Sequence, residues 1–94
     1  MKFAFMIMGD FEPRLDYARI QGGSAQILGV SSLAQACDAA KALQRDGVGC
    51  IELCGAFGEE GAREIIRATG GKIPVGYVTH LPEQDELYRK VFGE

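Results

Sequence analysis

The chain has 94 residues, 47% of them hydrophobic, and a net charge of −3 with a pI of about 5.1. That is enough for one domain over 1–94, and too apolar for a disordered segment. Its ten Lys and Arg are scattered, which excludes a phosphate-backbone partner such as DNA or RNA and electrostatic attachment to an anionic membrane surface.

The opening, MKFAFMIMGD, holds six uninterrupted apolar residues after Lys2. That is too short for a signal-peptide core or a membrane span. It predicts a strand over Lys2–Met8, central and covered on both faces because the run does not alternate. Gly9-Asp10 ends it. Pro13 opens an expected short helix over 13–20, with Leu15, Ala18 and Ile20 inward, and Gly22-Gly23 stops it. A second strand follows over Ala25–Val30. Ser32 with Gln35 fits a capping box, so a helix starts there, with Leu33, Ala36, Cys37, Ala40 and Leu43 on its apolar face. Gly47 ends it. A third strand spans Val48–Leu53. A second amphipathic helix runs over 59–69, with Ala62, Ile65, Ile66 and Thr69 inward, and Gly70-Gly71 closes it. The fourth strand covers 73–80. Pro82 suits the first turn of a last helix, whose apolar face is Leu87, Tyr88, Val91 and Phe92.

Strands separated by helices require right-handed crossovers and a parallel sheet. The expected fold is α/β, a small three-layer sandwich. Its sheet has four parallel strands in the order 2-1-3-4, a shortened flavodoxin-like pattern. Ligands of such sheets bind at the carboxyl ends of the strands, near the switch in strand order. Asp10, Cys54 and His80 are expected there. A chain this short buries only about 60–65% of its unfolded surface, so self-association as a homo-oligomer is expected.

The stretch IELCGAFGEEGAR carries the densest chemistry. Its G-x-x-G-x-x-G spacing is neither a dinucleotide fingerprint nor a Walker loop, and Glu59 and Glu60 already occupy the helix start that a phosphate would need. Gly55 and Gly58 are expected at positive φ, and Gly61 at a close helix–strand approach. Cys54 is the candidate nucleophile, ending a strand before a helix whose amides favour a thiolate. Position 60 holds Glu where a low-molecular-weight phosphatase loop requires arginine, and Cys50 and Cys54 are not a C-x-x-C pair. Along a strand they lie ~13 Å apart, too far to share a metal. With His80 the only histidine, no metal site and no cofactor are expected. Three cysteines without a secretory leader point to reduced thiols and a cytoplasmic location. Glu52 interrupts an apolar strand. Buried alone it would cost several kcal/mol, so it needs a function, a partner such as Lys2 or Arg63, or water.

The opening FAF, the turn ELCGAFG with GAR, and PVGYVTHLPEQDEL together resemble a family of short, mostly prokaryotic α/β proteins catalogued only as a domain of unknown function. The resemblance spans nearly the whole chain and implies no activity. It implies a common feature at Glu52, Cys54, Gly55, Gly58, His80, Pro82, Glu83 and Gln84. Three functions stay open. One is binding of a small polar metabolite by Glu52, Cys54, His80, Asp10 and the backbone of Gly55, Ala56, Phe57 and Gly58. Another is a small isomerase- or hydrolase-like enzyme using Cys54 or His80 with Glu52. The third is a structural or regulatory homo-oligomer without a ligand.

Overall fold

Lys2–Met8 forms β1 at the centre of a five-stranded mixed sheet, described in a computed structural model covering residues 1–93. The other strands are β2 (Tyr17–Ile20), β3 (Ala25–Val30), β4 (Val48–Leu53) and β5 (Val75–Tyr77), in the order β2-β3-β1-β4-β5. The helices are α1 (Leu33–Arg45), α2 (Gly58–Ala68) and α3 (Asp85–Phe92). The four strands expected from the apolar runs are parallel and neighbour one another in the expected order. The sheet is nonetheless not four-stranded and not purely parallel. The expected helix over 13–20 is absent. Tyr17–Ile20 is an edge strand antiparallel to β3, pairing Tyr17 with Leu28 and Ile20 with Ala25.

The reason lies in the glycine pair read as a helix stop. Gln21, Gly22 and Gly23 have φ of 56°, 62° and 100°, which turns the chain back within four residues. So short a link joins antiparallel strands, whereas a parallel pair needs a dozen or more residues. Tyr17 and Ile20 also favour a pleated strand. The segment between β1 and β3 therefore adds a strand to the edge and no helix to a face.

α1 and α2 pack side by side on one face of the sheet. Beneath them lie Ala4, Met6, Val30, Ile51 and Leu53, closed from above by Ala36, Ala40, Leu43, Phe57, Ala62 and Ile65. Leu33 and Ile66, expected inward, are about a third exposed. At the start of α1 the Ser32 hydroxyl accepts the Gln35 amide at 3.1 Å. The Gln35 side chain turns to the Ser31 amide (2.7 Å) and hydroxyl (3.1 Å), so the box closes one residue earlier than its spacing suggests. The Gln44 side-chain amide donates to the Thr69 carbonyl at 3.1 Å and ties the ends of α1 and α2 together.

The alternate residues face the other way. In register across the sheet run Ile20, Ala25, Phe3 and Cys50, then Ala18, Ile27, Phe5, Glu52 and Gly76. Among the described residues no helix covers this face. α3 buries none of its residues, and its main contact is with the short turn before it. Phe11 folds back over Gly29, leaving no space there for a side chain. Among the described residues no helix is long and apolar enough to cross a membrane.

Candidate functional site

At the carboxyl edge the ends of β1, β4 and β5 converge. The Cys54 amide donates to the Met6 carbonyl at 2.9 Å, and the Val78 amide to the Leu53 carbonyl at 2.9 Å. The Cys54 sulfur accepts the Met8 amide at 3.3 Å. A Cβ at Gly55 would sit 3.3 Å from the Val78 carbonyl oxygen, so this glycine serves close approach and not positive φ. Gly58 does take positive φ, at 63°. At Gly61 a Cβ would press on Phe57 at 3.0 Å, a tight packing inside the turn and not against a strand. Gly55–Phe57 forms one turn of 3-10 helix. Ala56 is exposed on it, whereas the Phe57 side chain is buried in the core. Asp10 is exposed just past β1.

His80 is committed elsewhere. Its Nε2 lies 2.7 Å from Asp85 Oδ1, and its ring stacks on Tyr88 with centroids 3.8 Å apart and planes 9° apart. Both partners belong to α3, so the imidazole fastens that helix to the segment that follows β5. An eight-residue helix is marginal alone. His80→Ala is therefore expected to raise amide exchange across α3 about five-fold, by removing roughly 1 kcal/mol of local stability. Hydrogen exchange read by mass spectrometry checks this; unchanged protection over 85–92 would show that the contact holds nothing.

Glu52 lies mid-strand, on the helix-free face, and not on the rim. Its expected partners are engaged: Lys2 donates to the Asp46 carbonyl at 2.9 Å, and Arg63 pairs with Glu59 and Glu60. The Glu52 carboxylate accepts the Cys50 thiol at 3.8 Å and leans over Gly76, where a Cβ would come within 2.7 Å of its Oε1. Burial, then the Glu52 charge and this hydrogen bond, push the Cys50 thiol up. Burial, with Glu64 next in size, does the same to Cys37. Both thiols stay protonated at neutral pH. Their folded values stand above the unfolded ones, so the linked stability loss begins only in the alkaline range where the unfolded chain ionises first. Cys54, His80 and Glu52 thus engage three separate sets of partners: Met8, then Asp85 with Tyr88, then Cys50. Among the described residues no three His, Cys, Asp or Glu side chains come close enough to hold a metal ion.

Two grooves open elsewhere. One of about 190 Å³ lies on the helix-free side, between Phe11, Ile7, Ile27 and Asp16. The larger, about 400 Å³, runs between β2 and α1. Its floor is Leu28, Ala39, Ala42 and Leu43, and Arg14, Tyr17, Arg19 and Asp46 stand at its sides. Arg14 is paired with Glu12 at 3.3 Å, whereas Arg19 has no ion pair among the described residues. The groove exists because β2 extends the sheet beyond the reach of α1. Reading 13–20 as a helix hides it; the strand-forming Tyr17 and Ile20 before a glycine pair were the available signal.

No curated protein and no solved structure matches the chain. A model of a family of unknown function, DUF6506, matches residues 1–93, and the chain belongs to that family.

Proposed function

We propose that the chain binds a small polar metabolite, an anion with an apolar body, in the groove between β2 and α1. The observation that carries this is the Arg19 guanidinium, which has no ion pair among the described residues, above an apolar floor in a space of about 400 Å³ that Arg14 and Asp46 also line. Pockets of this size with an apolar lining and a few polar groups are where small ligands bind. Guanidinium groups clasp carboxylate or phosphate oxygens through paired N–H donors. Tyr17 offers a ring for the ligand body.

Titration with hexanoate and with phenyl phosphate, followed by amide chemical shifts, tests this. Shifts should centre on β2 and α1. Arg19→Ala should weaken the binding about tenfold or more, the worth of one charge-assisted hydrogen bond. Absence of shifts with either probe at millimolar concentration would count against it.

A second reading keeps the metabolite at the carboxyl rim. The convergence of Met8, Cys54, Gly55 and Val78 favours it, and the strand order of β3, β1, β4 and β5 agrees with a shortened flavodoxin-like plan that binds ligands there. Shifts confined to the Gly55–Phe57 turn would support this alternative. Cys54, or His80 with Glu52, would then be candidates for isomerase- or hydrolase-like chemistry.

A further inference from the structure

We propose that the anionic group held in the groove between β2 and α1 is the carboxylate of an α-amino acid with an apolar side chain. This rests on the groove reading above and adds the ligand's second charge. Its warrant is an acid: Asp46 lines the same groove as Arg19, so charges of both signs face the ligand. A simple anion would be drawn to Arg19 and repelled by Asp46. An ammonium beside the carboxylate satisfies both.

The two charges stand at one end of the groove. Arg19 pairs in register with Gln26, and Gln26 with Ala4, on the same face of β1 as Lys2. Lys2 in turn reaches Asp46, whose carbonyl accepts its ammonium at 2.9 Å. Arg19, Gln26 and Asp46 thus gather at the amino end of the parallel strands, where α1 finishes. Toward the other end Tyr17 pairs with Leu28, and Arg14 is already held by Glu12. The head of an amino acid suits the first end, and its side chain would run over Leu28 and Ala39 toward the Tyr17 ring. Asp46 has room for an ammonium. Its Oδ2 lies 3.7 Å from Lys2 Nζ, too far for a hydrogen bond, and its side chain is 60% exposed. It also follows the last turn of α1, where the helix dipole and unpaired carbonyls favour a cation. Gln26 offers both a donor and an acceptor, so its amide can serve either group of the head.

Titration of the full chain with norleucine, hexanoate and ε-aminohexanoate, followed by amide chemical shifts, tests it. Norleucine is hexanoate with an α-ammonium, and should bind about tenfold more tightly, the worth of one charge-assisted hydrogen bond. ε-Aminohexanoate carries its ammonium at the far end of the tail and should bind no better than hexanoate. In Asp46→Asn, with circular dichroism reporting the fold, norleucine and hexanoate should bind alike. Hexanoate equal to norleucine on the wild-type chain would overturn the inference and leave the anion-binding groove standing. So would a norleucine preference that survives Asp46→Asn, or ε-aminohexanoate matching norleucine. Silence of all three probes, or shifts confined away from β2 and α1, would overturn the groove reading and this inference together.

Discussion

Replacing Ile51 with alanine is expected to lower the unfolding free energy by about 3 kcal/mol. Ile51 is fully buried at the middle of β4 and pairs in register with Ala4 on one side and Val75 on the other. Its neighbour Ala4 is small and α1 meets the sheet through Ala36 and Ala40. Small side chains let helix and sheet approach closely, and they cannot swing in to fill a void. The cavity therefore stays open and the cost falls in the upper part of the usual range. Against a total stability of about 5–10 kcal/mol for a domain this size, such a loss is severe. Guanidinium unfolding followed by circular dichroism gives the number. A shift below about 1 kcal/mol would mean that the helix layer collapses onto the gap.

The second large effect is expected at Gly29. A Cβ there would lie 2.4 Å from Phe11 Cγ and 2.6 Å from Phe11 Cβ, so the whole side chain, and not merely its tip, must leave. Gly29→Ala should cost about 2 kcal/mol through displacement of Phe11 and of the loop over 9–16 that it anchors. A double-mutant cycle separates crowding from backbone effects. In a Phe11→Ala background the same substitution should be nearly neutral, since alanine is easier to order in a strand than glycine. An equal cost in both backgrounds would show that Phe11 is not what Gly29 accommodates. This test also bears on the helix-free face, because Phe11 is the one side chain outside the sheet that folds over it at Gly29 and Gly9.

Much of the molecule was legible residue by residue. The unalternating run of Lys2–Met8 marked a central strand, and it is one. Ser32 marked the start of α1, and the spacing of Ala36, Ala40 and Leu43 marked its buried face. Ala62 and Ile65 did the same for α2. The candidate site was less legible. Cys54 and Gly55 do meet the ends of β1 and β5 at the carboxyl edge, as strand order alone predicts. His80 was expected at that edge, but its contacts were not legible, because they depend on Asp85 and Tyr88, whose side chains reach it only once the chain has turned into α3. Glu52 stood out as an acid in an apolar strand, and that signal was real. Its explanation needed the third dimension: β4 is covered on one face only, so the carboxylate sits on the open side.

Local patterns therefore determined what lies within each segment: where strands and helices fall, which helix faces are apolar, and that the four long apolar runs align in parallel. Those properties depend on residues a few positions apart, through helical or pleated periodicity and capping. Tertiary structure alone decided that 17–20 pairs with β3 as an antiparallel edge and that the sheet keeps one face without helices. It also decided that Arg19 overlooks a groove beside α1. The physical reason is that a four-residue strand has too weak a propensity to declare itself. Its hydrogen bonds are supplied by a neighbour across a tight turn, and the choice between a hairpin and a crossover rests on the free energy of that pairing.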